Sequence, residues 1–277
     1  MAEHIIDVDW QFKPIRCILT YPEQTSQKET EIPPTPLLIF THGASGTLSS
    51  GAIANFTAGF ARRLPILCFQ GNLNLQSRTK MFSAVVENQS FSTSLGGRSM
   101  GARAAILAAS EQTQHLVLAS YPLHTNKDTR DQALLDIDQS VKVVFVSGDH
   151  DSMCDLARLE EVRKKMRCLT WRIVVEGADH GMKVKPKHAT TEAGNKAGEL
   201  VAAWLQDSDS TRREGRIFCN EEGKVEWTGW GSEPPIPRAV KEVAPKPKDS
   251  LKRPRSEQTS QEADGNVSTR TRKRSKA

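Results

Sequence analysis

Six short apolar runs, at 15–19, 37–40, 66–69, 116–119, 143–146 and 173–175, alternate with stretches rich in helix formers at 52–63, 76–86, 102–109, 156–166 and 189–205. This succession predicts a parallel sheet, because parallel neighbours need a crossover connection and a helix is the usual one. Runs of three to five apolar residues, interrupted only by Arg16, fit strands buried on both faces. The last helical stretch sets Leu200, Val201 and Trp204 on one side, as a packing helix requires. Connections are short, and no long apolar insertion could form a lid over the sheet. The expected architecture is α/β, with a mainly parallel central sheet and helices on both faces. A chain of 277 residues, 37% of them apolar, can bury one such core and still carry a tail.

The segment Gly97-x-Ser99-x-Gly101 falls where a strand passes into the helical stretch 102–109. A serine at a sharp strand-to-helix turn projects its hydroxyl above the sheet, and glycines two residues either side make room for that close approach. The pattern alone arises often by chance in Gly/Ser loops, so its context decides. The following Ala102-Arg103-Ala104-Ala105-Ile106-Leu107 favours a helix. The preceding Phe91-Ser92-Thr93-Ser94-Leu95 is expected to be the buried strand, although three hydroxyl residues make it polar for one.

A nucleophilic serine needs a base, and the base an orienting acid. In this architecture they follow in the order Ser, acid, His. The run 143–146 leads into Ser147-Gly148-Asp149-His150-Asp151, and the run 173–175 into Glu176-Gly177-Ala178-Asp179-His180-Gly181. Parallel strands deliver their following loops to one edge, so these residues would face Ser99. Asp149 and Asp151 compete for the acid role; Asp151 is favoured because the Gly148 turn must first lift the chain off the strand. His180 stands where the base should be. His150 directly follows the acid strand and is expected to face solvent.

Thr41-His42-Gly43-Ala44-Ser45-Gly46 follows the run 37–40. Such a turn can set a backbone N–H opposite the serine, and the residue after the serine supplies another. Ala44 and Met100 are the expected donors for a tetrahedral oxyanion, with His42, Gly43 and Arg98 lining the same site. A phosphate cradle is excluded: Gly46-x-x-x-x-Gly51 is followed by Ala52 rather than Lys, and no G-x-G-x-x-G follows a strand.

Thr41-His42-Gly43-Ala44, Gly96-Gly97-Arg98-Ser99-Met100-Gly101, Ser120-Tyr121-Pro122-Leu123-His124, Val146 through Cys154 and Asp179-His180-Gly181-Met182-Lys183-Val184 together resemble the α/β-hydrolase superfamily. Within it they are similar to the small family containing testis-expressed protein thirty and the hydrolase-like domain of subunit three of the non-specific-lethal histone acetyltransferase complex. The likeness spans roughly residues 15 to 206. It implies an α/β-hydrolase fold and a triad of Ser99, Asp151 and His180. Members are mostly hydrolase-like, and at least one is a chromatin-complex subunit.

Residues 123–139 replace part of the usual cap, with 128–138 reading as a short surface helix and His124 expected near the site. From 207 the apolar periodicity stops. Residues 207–277 hold 16 Lys/Arg against 12 Asp/Glu, leaving 22 against 21 in 1–206, so the net charge of +5 lies mostly in the tail. A hydrolase domain at 1–206 and a low-complexity basic tail at 207–277 are expected. Within the tail, 216–230 could dock on the body as a tryptophan-bearing hairpin or serve as a linear motif. Lys252, Arg253 and Arg255, and Arg270, Arg272, Lys273 and Arg274, form basic clusters. They read as a nuclear import signal, or otherwise as a solubilising tail, and not as a folded nucleic-acid module.

Five cysteines, an odd number, form no C-x-x-C pair, and the N-terminal segment is polar. An intracellular chain, nuclear or cytoplasmic, is expected, with reduced thiols, no membrane association, no metal and no cofactor. Two functions fit. One is a serine hydrolase acting on a small acyl substrate through Ser99, Asp151 and His180. The other is a silent hydrolase-like interaction domain in a nuclear assembly, with the basic tail engaging an import receptor.

Overall fold

A computed structural model describes residues 1–23, 33–44, 46–89, 93–125, 128–208 and 211–231, all within one unit running Met1–Ile236. The basic clusters at 252–255 and 270–274 lie outside these residues.

The elements run β1 (Ala2–Val8), β2 (Ile15–Tyr21), β3 (Leu38–Thr41), α1 (Gly51–Phe60), β4 (Ile66–Phe69), α2 (Leu75–Gln89), β5 (Ser94–Arg98), α3 (Met100–Ala108), β6 (His115–Ala119), α4 (Gln132–Leu135), β7 (Lys142–Gly148), α5 (Leu156–Lys165), β8 (Thr170–Val175), α6 (Ala189–Gln206), β9 (Glu214–Cys219) and β10 (Val225–Trp227). All the described strands form one sheet in the order β1-β2-β4-β3-β5-β6-β7-β8-β9-β10. From β4 through β9 every pairing is parallel; β1-β2, β2-β4 and β9-β10 are antiparallel. The expected mainly parallel sheet is therefore present, and antiparallel strands close both of its edges.

Side-chain alternation along the strands divides the core into two layers. On β6 and β7, Leu116, Leu118, Val143 and Phe145 face one layer with Phe82 and Val85 of α2, Ala102 and Ala105 of α3 and Leu159 of α5. Val117, Ala119, Val144 and Val146 face the other, with Phe56 and Phe60 of α1 and Val201 and Trp204 of α6. Burial on both faces explains why these strands read as continuous apolar runs rather than alternating ones.

Two features depart from expectation. The strand before Ser99 is not 91–95 but Ser94–Arg98, so it runs through the glycine pair; 91 and 92 lie outside the described residues. A side chain cannot replace hydrogen at Gly96, where a Cβ would stand 2.8 Å from Val117 Cβ and 2.9 Å from Phe40 Cδ2. Crowding from the neighbouring strands therefore imposes glycine in a central strand that propensity alone argues against. The polar N-terminal segment forms β1, a half-exposed edge strand that turns Ile6 and Val8 toward the core. Past residue 206 the stretch that includes 216–230 adds two strands to the sheet. β9 joins β8 in parallel, and β10 folds back on β9 as a hairpin whose Trp227 and Trp230 meet edge to face at 5.2 Å. Glu214 anchors this addition. It accepts from Arg163 Nη1 and, at 2.8 Å, from Arg172 Nε, both side chains being under 10% exposed. The expected surface helix at 128–138 is present as the single turn α4, which buries Leu134.

Candidate active site

Each central parallel strand ends at one edge of the sheet, and the loops after β3, β5, β7 and β8 meet there. Ser99 forms the turn between β5 and α3 with φ 54° and ψ −115°, a left-handed conformation that costs a non-glycine residue energy. The glycines two residues to either side make it possible. A Cβ on Gly97 would stand 2.8 Å from the Ala102 nitrogen, and one on Gly101 would stand 2.8 Å from the His42 carbonyl oxygen. The Ser99 amide donates to Ala119 on the adjacent strand at 2.9 Å, which fixes the turn on the sheet. Ser99 itself is 8% exposed.

Ser99 Oγ lies 3.0 Å from His180 Nε2. His180 Nδ1 lies 2.9 Å from each oxygen of Asp151, whose side chain is fully buried. An imidazole whose Nδ1–H donates to a carboxylate keeps the Nε2 lone pair free to accept from a hydroxyl. Three residues drawn from three loops, 81 and 29 positions apart, thus form one hydrogen-bonded path. Asp151 Oδ1 also accepts from the Met153 amide at 2.8 Å, which fixes the carboxylate within its own loop.

Asp149 is occupied elsewhere. Its Oδ1 accepts from the Gly177 amide at 2.6 Å and its Oδ2 from Arg216 Nη1 at 2.9 Å. It therefore braces the turn after β8, where Gly177 takes φ 71°, and does not reach His180. His150 is exposed, as expected of a residue facing solvent.

The loop after β3 stands against the nucleophile: a Cβ on Gly43 would be 3.4 Å from Ser99 Cβ and 2.7 Å from Arg98 Nη1. Ala44 follows on the exposed side. Met100 opens α3, so its N–H has no intrahelical acceptor and lies at the positive end of the helix. His42 does not line the site with its ring. It is 1% exposed, and its Nε2 accepts from the Gly71 amide at 3.0 Å. A backbone N–H can only donate, so Nε2 is unprotonated, and Nδ1–H donates to its neighbour Gly43 at 2.7 Å. Burial, with Arg78 nearby, holds this imidazole below its ordinary pKa and keeps it neutral.

Arg98 sits beneath the histidine loop. Its Nη2 donates to the His180 carbonyl, while its Nε is buried without a partner among the described residues. Burial lowers its pKa, and Asp151 and Asp179 offset part of that effect. His124 is tied to the acid loop through its amide, which donates to the Met153 carbonyl at 3.1 Å. None of its hydrogen bonds among the described residues reaches Ser99 or His180.

Two contributors escaped the sequence reading. Arg78 of α2 is fully buried and donates through Nη1 to the His42 and Gly43 carbonyls and through Nη2 to that of Asn72. Gln70 Nε2 lies 2.6 Å from His42 Nε2, and Gln70 Oε1 accepts from the Leu48 amide at 3.2 Å. A signal for Arg78 existed: it shares the spacing i, i+3, i+4, i+7 with Met81, Phe82 and Val85, so it stands on the apolar stripe of its helix.

Residues 70–206 match the model of a family described as alpha/beta hydrolase domain. Among solved structures, the chain is similar to Est1E from Butyrivibrio proteoclasticus, with a TM-score of 0.57 and 14% identity over 73% of this chain and 99% of that one. It is also similar to the esterase domain of a Rhodothermus marinus protein, with a TM-score of 0.55 and 12% identity over 74% and 98% of the two chains. A Xanthomonas campestris protein described as an a/b serine hydrolase without lid aligns with a TM-score of 0.52 and 14% identity over 75% and 97%. The fold is that of the α/β hydrolases.

Proposed function

We propose that this α/β-hydrolase-fold chain is a serine hydrolase of carboxylic esters with small or soluble acyl groups. The observation that carries the reading is the unbroken path from Ser99 Oγ through His180 to Asp151, at 3.0 and 2.9 Å. The esterases and the lidless serine hydrolase among its structural neighbours point the same way, as does the likeness of its motifs to the testis-expressed protein thirty family. The short connections around the site favour compact or soluble esters over lipid aggregates.

The chemistry follows from the placement of protons. Ser99 Oγ attacks the ester carbonyl carbon as its proton passes to His180 Nε2. The imidazolium so formed is stabilised by Asp151, which also fixes the tautomer that made Nε2 a base. The carbonyl oxygen becomes an oxyanion beside the Ala44 and Met100 amides, and each such donor is worth about 3 kcal/mol of barrier. The carbon–oxygen bond to the alcohol breaks, and the Nε2 proton goes to the leaving alkoxide. Water then repeats the sequence on the acyl–Ser99 ester, releasing the acid and restoring Ser99.

An acyl-enzyme made faster than it is hydrolysed gives a burst. Wild-type protein mixed with p-nitrophenyl acetate is expected to release nitrophenolate in a rapid phase equal to the protein concentration, followed by slower turnover. A folded protein with no release above buffer would contradict the assignment.

A further inference from the structure

An arginine at the centre of an apolar helix stripe is expensive to bury, and Arg78 has no carboxylate partner among the described residues. Its guanidinium is instead surrounded by backbone carbonyls. Nη1 donates to His42 and Gly43, the latter at 3.3 Å, and Nη2 to Asn72. Gly71 belongs to the same arrangement, since any Cβ there would collide with Arg78 Nε. Desolvation lowers its pKa to about 10, which leaves it charged at neutral pH. This charge is spent on two loops: the one bearing Gly43 and Ala44, and the one after β4.

Peptide geometry gives that contact a direction. In a trans peptide the carbonyl of one residue and the N–H of the next point oppositely. The Gly43 carbonyl receives Arg78 Nη1, His42 Nδ1–H at 2.7 Å and the Gly46 amide at 3.3 Å, so it is fixed toward the interior. The Ala44 N–H must then point outward. The His42 carbonyl is held by the same Nη1, which turns the Gly43 N–H outward as well. Neither amide donates to a partner among the described residues, and Gly43 stands against Ser99 Cβ. Two successive N–H groups facing one way form a concavity suited to an anion.

We propose that Arg78 is a positioning residue for the hydrolysis: by holding the His42 and Gly43 carbonyls under the loop, it turns the Gly43 and Ala44 amides toward the oxyanion that forms at Ser99. The inference rests on the serine-hydrolase reading and extends it, since it adds the Gly43 amide as a donor and names what orients both.

Full-length Arg78→Met and Arg78→Lys are compared with wild type by steady-state hydrolysis of p-nitrophenyl acetate, thermal melting and amide hydrogen exchange over residues 42–48. Removing oriented oxyanion donors costs kcat on the order of 100-fold. Arg78→Met is therefore expected to lose about that factor with KM little changed and with the pH dependence of kcat keeping its shape, because the Ser99–His180–Asp151 path is untouched. The 42–48 amides should exchange faster. Arg78→Lys retains the charge without the fork that spans both loops, and it should recover about ten-fold of the loss. Wild-type kcat and unchanged exchange in Arg78→Met would overturn the proposal. So would kcat, KM and melting temperature changing together, equally in both variants, since that marks general structural damage. If wild type itself hydrolyses no ester, the hydrolase reading fails separately; the exchange data still decide whether Arg78 orders the loop, and unchanged exchange overturns it.

Discussion

Ser99→Ala is expected to lower kcat for p-nitrophenyl acetate by about a million-fold, and His180→Ala by nearly as much, with the double variant no worse than either. The non-additivity is the informative part. Ser99 Oγ lies 3.0 Å from His180 Nε2, and in the proposed mechanism the two act in one step, so removing either removes the step. Residual hydrolysis of about 10³-fold over water should survive in each variant, because the amides of the loop after β3 and of Met100 remain to bind an oxyanion. Both variants should fold normally. Alanine at 99 loses one hydroxyl from a residue whose backbone is fixed by the Ala119 carbonyl and the two flanking glycines, not by its side chain. Turnover by Ser99→Ala within ten-fold of wild type would place the chemistry on another residue.

Asp151→Asn should reduce kcat by about 10⁴, whereas Asp149→Asn should leave it within about three-fold of wild type. The difference follows from what each carboxylate touches. Both Asp151 oxygens lie 2.9 Å from His180 Nδ1, and Oδ1 also accepts from the Met153 amide at 2.8 Å, so an asparagine held by Met153 sets its NH₂ in the place of Oδ2 beside Nδ1. The carboxylate charge that would stabilise the imidazolium is lost. An NH₂ beside Nδ1 also favours the tautomer protonated on Nε2, which cannot accept from Ser99. Asp149 instead binds Gly177 and Arg216, and its replacement removes half of a partly buried ion pair. That variant should lose about 1 kcal/mol of stability, seen in urea denaturation, with chemistry intact. Equal losses of kcat in the two variants would show that the acid role is not confined to Asp151.

Much of this arrangement can be read from the chain before any coordinates. The runs at 116–119 and 143–146 form β6 and β7 because residues buried on both faces leave an unmistakable apolar signature. The order Ser99, Asp151, His180 follows from parallel strands emptying onto one edge. The less legible parts share a cause: their residue types are dictated by neighbours distant in sequence. Gly96 is glycine because Val117 and Phe40 fill the space beside it, so local propensity misplaces β5 by three residues. β9 has low apolar content because ion pairs from Glu214 to Arg163 and Arg172 join it to the body alongside the one core residue it buries, Ile217. Arg78 reads as a surface residue by type, and only its place on an apolar stripe shows otherwise. The ring of His42 turns away from the site because the Gly71 amide captures Nε2, a contact between loops that no local pattern announces.

The proposed mechanism requires that Ser99 be an activated nucleophile. Incubation with a fluorescent fluorophosphonate, followed by intact-mass measurement, tests it without knowledge of the natural substrate. Wild-type protein is expected to gain one phosphonyl adduct, mapped to Ser99, with no adduct on Ser99→Ala and at most trace labelling of His180→Ala. A folded wild-type protein that stays unlabelled, or one labelled equally in Ser99→Ala, would contradict it.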